Sequence, residues 1–278
     1  MTAVSTQGRT VAGAPKRSHV VTDAVTMLHR NLLHMVRYPG LSVFTILAPV
    51  VFLLLFVFVL GGTLGAGLPG VDPDGGRAAY LAYVVPGILV MTIAGTAGGT
   101  STTVSMDMKE GVTARFRTMA ISRAAVLAGH VLGNSIQALI AVVLVLGVGV
   151  AIGFRPTAGP GEWLALVGIL ALIAFAITWL GVAMGMQAKS VETASNMPLT
   201  LLLLPLLSSG FVPTESMPAW LQWFAEHQPF TPFVETIRSL LLGTDMGSNG
   251  VLAVAWCLVL TAIGYVWSMT LYERKSLG

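Results

Sequence analysis

Long apolar segments, almost free of charged residues, alternate with short polar connections along this chain of 278 residues. An α-helix rises about 1.5 Å per residue, so roughly 20 apolar residues cross the ~30 Å hydrocarbon core of a membrane. Six segments reach about that length, and they predict an all-α membrane protein with six transmembrane helices. The segments lie at about residues 42–62, 80–104, 126–154, 163–187, 196–212 and 251–272, the fifth being the shortest.

The first 40 residues follow a different pattern. Residues 1–18 lack an apolar core and predict a flexible cytoplasmic tail rather than a cleaved signal peptide. Residues 19–40 place apolar side chains at helical spacing, with polar ones opposite, which predicts an amphipathic helix lying at the membrane interface. The alternative is a simple positively charged anchor for the first span. Residues 41–278 then form a single transmembrane domain.

Composition excludes a soluble globular protein. Hydrophobic residues make up 55% of the chain and charged residues 10%, and the mean hydropathy is +0.81. The single cysteine, Cys257, lies inside the last predicted span, so the chain offers no disulfide or cysteine redox pair.

Lysine and arginine are distributed unequally between the two sides of the predicted topology. Because cytoplasmic loops are rich in these residues, the side that carries twelve of the fifteen is predicted to be cytoplasmic, with both termini on it. The three others are Arg77, Arg155 and Arg238. This topology accounts for the basic pI of about 9.2 and makes a nucleic-acid partner unnecessary.

The predicted cytoplasmic loop between the second and third spans contains "MKEGVTARFRTMAISR", from Met108 to Arg123. Its apolar residues repeat at helical spacing, and polar residues fall on the opposite face. This pattern favours an amphipathic helix over a solvated positive-inside loop. The residues of interest in this helix are Lys109, Glu110, Val112, Thr113, Arg115, Phe116, Arg117 and Met119.

Aspartate, glutamate, lysine and arginine are absent from all six predicted spans, which contain one histidine. An ion-coupled carrier usually keeps such a group within its helices. His130 is therefore a candidate proton relay, although a neutral packing histidine is the more common state. Asn134 and Gln137 share one face of the third span and are candidates to line a substrate path, or alternatively to form hydrogen bonds between helices.

The segment from Phe211 to Gly243 is longer than an ordinary connection and predicts two short helices at the outer leaflet. Aromatic rings favour the depth of the lipid headgroups. That position is predicted for Trp220, Trp223, Phe224, Phe230 and Phe233. Glu235 and Arg238 are predicted to pair at an exposed site, with a small effect on stability.

From about Val20 to Tyr272, the chain resembles the permease subunits of type-2 ABC exporters, particularly the daunorubicin-resistance group. The resemblance rests on "YVVPGILVMT", "ARFRTMAISR", "NSIQALIAVVLVLGVGVAIGFRP" and "SSGFVPTESMPAWLQWFAEHQPFTPFVETIRSLLLG". One departure is Ala120, where the family commonly has proline, so the bend of that loop differs from the family pattern.

The resemblance implies a bacterial plasma-membrane permease that works with a second permease copy or paralogue. It implies that the loop at 109–119 is a coupling helix docked on a separate ATPase subunit, present in two copies. ATP and magnesium would be bound by that ATPase, and this chain would hold no cofactor. The implied activity is ATP-driven efflux of a small hydrophobic drug, antibiotic or secondary metabolite.

The 278 residues contain no G-x-x-x-x-G-K-[ST] phosphate-binding loop, so this chain is predicted not to be an enzyme by itself. The alternative substrate class is a lipid or glycolipid. Two other classes stay open. An ion-coupled carrier would depend on His130, and a non-transporting membrane scaffold would leave the docking pattern at 109–119 without a use.

Overall fold

The structure is a computed structural model that describes residues 39–67, 76–109 and 123–276. Regular structure in this part of the chain is entirely helical, as the sequence predicts. Most of the predicted interfacial helix lies outside the described residues, and so does the predicted coupling helix apart from Lys109.

The helices follow one another along the chain with short connections. They are α1 (Pro39–Leu54), a π-helical stretch (Leu55–Leu60), α2 (Gly61–Ala66), α3 (Gly76–Lys109), α4 (Arg123–Ala151), α5 (Pro160–Gln187), α6 (Val191–Asn196), α7 (Leu199–Leu203), a 3₁₀ turn (Leu204–Leu207), a second 3₁₀ turn (Thr214–Ser216), α8 (Ala219–His227), α9 (Phe230–Leu242) and α10 (Asn249–Ser276). Because α1 begins at Pro39, residues 39 and 40 belong to it rather than to the predicted interfacial helix.

Five helical stretches in the described residues are long and apolar enough to cross a membrane. They are Leu47–Ala66, Gly76–Lys109, Gly129–Ala151, Pro160–Gln187 and Asn249–Tyr272. We call the end of the bundle that carries α8 and α9 the hairpin end, and the end that carries Lys109 and Arg123 the loop end.

Helices α3 and α5 form the centre of the bundle, and they are the most buried of the five. Their backbones approach closely where glycine removes the side chain. A Cβ atom added at Gly181 would lie 3.1 Å from the carbonyl oxygen of Ala97, and one at Gly185 would collide with the backbone of Ser101. The Gly181/Gly185 spacing therefore sets the separation of the two central helices.

The fifth predicted span, at 196–212, is not one continuous helix. The apolar helical segment runs from Val191 to Leu207, is interrupted at Met197 and Pro198, and tightens to 3₁₀ geometry from Leu204. Proline lacks an N–H donor and clashes with the preceding turn, so Pro198 and Pro205 break the α-helical pattern. The chain then turns at Ser208–Phe211, where all four residues are buried.

Helices α8 and α9 form a short hairpin after that turn, and the two have different surroundings. Helix α8 presents Trp220, Trp223 and Phe224 at the surface, with exposed fractions of 73%, 63% and 37%. Helix α9 packs against α3, α5 and α10. Phe230 and Phe233 are buried in the core, so their predicted place among the lipid headgroups is wrong.

Candidate transport site

The buried turn at Ser208–Phe211 is the point around which the hairpin end is organised. Its backbone carbonyls lie inside an apolar bundle, where an unpaired polar group costs free energy. Side chains from other elements supply the donors. The Tyr80 hydroxyl donates to the carbonyl oxygen of Phe211 at 3.1 Å, and the Tyr83 hydroxyl donates to that of Ser209 at 2.7 Å.

Two residues of the hairpin complete this set of donors. The Gln228 amide donates to the carbonyl oxygens of Leu204 at 3.2 Å and Leu207 at 2.8 Å. These two residues are the first and last of the 3₁₀ turn that precedes the buried turn. The Arg238 guanidinium donates to the carbonyl oxygen of Ser209 at 2.9 Å. We call Tyr80, Tyr83, Gln228 and Arg238 the polar hub.

Arg238 links three elements and is far less exposed than its sequence context predicts. It donates to the Glu235 carboxylate, and its second nitrogen also reaches the carbonyl oxygen of Tyr83 at 3.1 Å. The guanidinium carbon lies 4.0 Å from the centre of the Tyr83 ring, a cation–π contact. The Arg238 side chain is 12% exposed and that of Glu235 is 29% exposed. The predicted exposed position of the Glu235–Arg238 pair is therefore wrong. Both side chains are largely covered because α9 packs inside the bundle.

Gly87 of α3 and Gly210 of the buried turn touch through their backbones. A Cβ atom added at Gly87 would lie 2.6 Å from the carbonyl oxygen of Gly210, and one at Gly210 would lie 2.9 Å from the Cα atom of Gly87. Only glycine fits at these separations, so the turn and α3 share a contact that any side chain would open.

At the loop end, a contact between a histidine and a carboxylate joins α3 to α4. His130 Nε2 lies 3.1 Å from Asp107 Oδ2, and the two side chains are 10% and 16% exposed. Helix α3 continues five residues beyond its predicted end at 104, which is why Asp107 belongs to it. The sequence predicts that His130 is either a proton relay or a neutral packing residue. The structure gives His130 a carboxylate partner beside the 110–122 segment.

Between the two ends, α3 and α6 present an open face of small and hydroxyl-bearing residues. A Cβ atom added at Gly98 or Gly99 would meet nothing within 4 Å. Thr102 Oγ1 and Ser195 Oγ lie 3.0 Å apart, and Ser101 donates to the carbonyl oxygen of Ala194 at 2.8 Å. We call the face around Gly98, Gly99, Thr102 and Ser195 the small-residue face.

The two residues predicted to line a substrate path, Asn134 and Gln137, both lie on α4. Asn134 is 8% exposed and donates to the carbonyl oxygen of His130 in its own helix at 2.9 Å. Gln137, one turn further along α4, is half-buried. The hydrogen bond between helices in this region comes from Ser135, which donates to Thr178 of α5 at 3.4 Å.

Of the predicted coupling residues, Lys109 is the exposed last residue of α3, and Glu110, Val112, Thr113, Arg115, Phe116, Arg117 and Met119 lie outside the described residues. Nothing in the sequence pattern distinguishes Tyr80, Tyr83, Gln228 or Asp107 as candidates. A polar residue inside an apolar run is a signal for such groups, but it does not identify their partners. Within the described part of the chain, no cluster of three or more His, Cys, Asp or Glu residues could hold a metal ion.

Comparison with known proteins identifies the family of this chain. Residues 22–242 match the model of the ABC-2 type transporter family. The chain is 31% identical to the daunorubicin resistance ABC transporter permease protein DrrB1 of Streptomyces coeruleorubidus, over 99% of this chain and 95% of that protein. It is 29% identical to the probable doxorubicin resistance ABC transporter permease protein DrrC of Mycobacterium tuberculosis, over 80% of this chain and 81% of that protein. This chain therefore belongs to the ABC-2 type transporter family, as a membrane permease.

Proposed function

We propose that this chain is the membrane subunit of an exporter whose ATP is hydrolysed by a separate polypeptide. The observation that carries the proposal is the family match over most of the chain in a sequence with no phosphate-binding loop. ATP and magnesium would be bound by two ATPase subunits. The permease itself would pair with a second permease copy or paralogue.

In this proposal the loop end faces the cytoplasm of a bacterial plasma membrane and the hairpin end faces outward. The bias of twelve to three in lysine and arginine supports that orientation. Val191–Leu207, together with the buried turn, makes the fifth crossing along the chain and brings the total to six. This segment is only 17 residues long, and the polar hub bonds its last carbonyls within the bundle.

The proposed docking element for the ATPase is the helix predicted around residues 109–119. The Asp107–His130 pair supports this role because it joins the two helices on either side of that segment. A movement of the docked segment would then act on α3 and α4 together. Arg115 and Arg117 are proposed to orient the segment against an acidic rim, while Val112, Phe116 and Met119 supply its apolar anchor.

The proposed substrate path follows the small-residue face, where two permeases would meet. Its glycines leave space, and its hydroxyl groups offer few, weakly polar contacts within otherwise apolar walls. Such a path suits a hydrophobic or amphipathic molecule. The names of the two relatives, which refer to daunorubicin and doxorubicin resistance, favour a drug or secondary metabolite over the alternative of a lipid or glycolipid.

Co-purification of the ATPase with the permease tests this assignment. Truncation of a large aromatic anchor in a protein–protein pocket typically costs about 2 kcal/mol or more. We therefore expect Phe116→Ala to lower ATPase recovery roughly 30-fold at limiting concentration. Arg117→Glu should weaken docking in a salt-dependent manner.

A matched control is Leu164→Ala, which truncates a side chain that is 78% exposed at the hairpin end. This variant should retain wild-type ATPase recovery. Equal recovery with the wild type, Phe116→Ala and Arg117→Glu would show that the 109–119 segment does not dock the ATPase.

A further inference from the structure

The first span contains a stretch of π-helix beside the buried turn. The stretch is Leu55–Leu60, between α1 and α2. Phe56 within it packs on Phe211 of the buried turn, with ring centroids 4.9 Å apart. Stretches of π-helix are rare, recur at functional sites and often kink the helix that contains them. Neither the family match nor the proposed docking element accounts for this one.

The change from π-helix to α-helix is concentrated at Leu60. This residue has φ −105° and ψ −16°, away from the α-helical values of about −63° and −42°. Its carbonyl oxygen accepts a hydrogen bond from the Thr63 hydroxyl at 3.0 Å, at an exposed position. A hydroxyl that bonds to the backbone of the preceding turn bends a helix. The span is therefore least resistant to bending where the π-helical stretch meets α2.

The two sides of this junction are held differently. Before it, Phe56 packs on the buried turn and Val57 is 1% exposed. After it, α2 meets the start of α3 through glycine, because a Cβ atom added at Gly65 would collide with the backbone of Gly76. Leu64 is half-buried and packs α2 on the core. Helices lock together through side chains that fit into grooves, so a contact between two glycines lets α2 slide on α3.

A cleft of about 390 Å³ lies beside α2. Its walls are formed by Thr63, Leu64 and Gly67 on one side, and by Tyr80 and the chain at 211–216 on the other. Protein interiors leave few spaces larger than a water molecule, so this cleft gives α2 an open side toward the 211–216 chain. The bend and the open side therefore belong to the same short helix.

We propose that the π-helical stretch is a hinge on which α2 moves toward the 211–216 chain and closes this cleft. Gly65 slides on the backbone of Gly76 during the movement, while Phe56 stays on Phe211. The structure shows the open arrangement, and the resting permease populates both. The inference rests on the proposed function only in placing the hinge on the side of the membrane where an exported molecule leaves.

Distances between spin labels in the purified full-length permease, in nanodiscs without ATP, test the hinge. Ala66→Cys and Ser216→Cys place labels at exposed positions on α2 and on the opposite wall of the cleft. We expect two distances, the second shorter by about 5 Å, since one-turn shifts between packed elements have this size. The matched pair, Ala78→Cys with Ser216→Cys, moves the first label to an exposed position of α3 and should give one distance.

Two variants should remove the shorter distance by different routes. Deletion of Val59 returns the π-helical stretch to α-helical register, and its side chain is 71% exposed, so few contacts are lost. Val212→Trp leaves the first span intact and fills the cleft, which Val212 lines. Leu258→Trp adds the same bulk at a position of α10 that is 62% exposed, and it should retain both distances.

Three outcomes would overturn the hinge. The first is a single distance for the Ala66–Ser216 pair in the otherwise unchanged permease. The second is that both distances persist after deletion of Val59 or in Val212→Trp. The third is that the Ala78–Ser216 pair shows the same two distances, because the 211–216 chain would then be the moving part. Absence of ATP-driven export with both distances retained would count against the proposed function alone, because the distance measurement requires no ATPase.

Discussion

At the scale of single residues, the hairpin end depends on two facing glycines and on a few polar side chains inside an apolar bundle. Gly87 and Gly210 bring the buried turn against α3. In that turn, the carbonyl oxygen of Ser209 accepts hydrogen bonds from Tyr83 and Arg238. Backbone contact and hydrogen bonding therefore support each other at one point. A change in either should move the turn.

Gly87→Ala tests the backbone contact. The added methyl group would lie 2.6 Å from the carbonyl oxygen of Gly210, and the atoms that it meets belong to backbone that cannot rotate away. Overpacking of this kind costs about 2 kcal/mol. We expect a lower midpoint of thermal unfolding for the purified permease in detergent.

Gly168→Ala is the matched control, because a Cβ atom at this exposed position of α5 meets nothing within 4 Å. This variant should unfold at the wild-type temperature or slightly above it, since alanine favours a helix over glycine. Equal midpoints for the two alanine variants would show that the Gly87–Gly210 contact does not hold the turn.

The sequence predicts the contact between neighbouring residues of α9 but not the hydrogen bonds between residues that are far apart along the chain. The spacing of Glu235 and Arg238 predicts their pairing, since residues three apart share a helix face. Arg238 also bonds to the carbonyl of Tyr83, which is 155 residues away along the chain, and Tyr80 bonds to that of Phe211, 131 residues away. Such contacts follow from helix packing, and no local pattern encodes them.

At the scale of elements, the apolar segment Val191–Leu207 and the α8–α9 hairpin act as one unit. Hydropathy predicts a membrane span at 196–212 because it measures apolar content, and it is insensitive to where the helix ends. The structure ends the segment at Leu207 and returns the chain through α9, which is buried against α3, α5 and α10. The prolines indicate a break, but the burial of α9 depends on its partners.

Arg238→Gln tests whether the polar hub fixes α9 in the bundle. The substitution removes the cation that pairs with Glu235 and two donors to backbone carbonyls. The pair is partly buried, so its loss costs less than the roughly 3 kcal/mol of a fully buried pair, but the carbonyl oxygens of Tyr83 and Ser209 also lose their donor. Thermal unfolding should therefore begin at a lower temperature, and protease should cleave the α8–α9 connection more quickly.

Arg155→Gln provides the comparison for this test. Arg155 is exposed at the hairpin end and donates to the carbonyl oxygens of Val150, at the end of α4, and of the neighbouring Phe154. It should change unfolding by less than about 1 kcal/mol, as is usual for surface sites. If Arg155→Gln destabilises the permease as much as Arg238→Gln does, the hub has no special role in holding α9.

At the scale of the whole molecule, the described chain begins and ends at the same end of the bundle. Tyr272, near the end of α10, packs with Val104 and Leu127 close to the loop end. Helix α1 runs from Pro39 toward α2, which contacts the start of α3 at the hairpin end. With the lysine and arginine distribution, this arrangement supports cytoplasmic termini and an outward-facing hairpin.

Cysteine labelling in intact cells tests that orientation. Ser248→Cys introduces a thiol at an exposed position of the hairpin end, and Thr113→Cys introduces one in the 110–122 segment. The native Cys257 is 1% exposed and should contribute little background. An impermeant maleimide should label Ser248→Cys and spare Thr113→Cys until the membrane is opened. The reverse pattern would invert the proposed topology.

The most direct test of the proposed function is transport of a hydrophobic fluorescent probe by purified permease in proteoliposomes, with and without its co-purified ATPase. We expect ATP-dependent probe movement only when both polypeptides and magnesium are present, and no ATP turnover by the permease alone. Probe movement driven by an ion gradient in the absence of the ATPase, or ATP hydrolysis by this chain alone, would show that the chain is not the membrane subunit of an ATP-driven exporter.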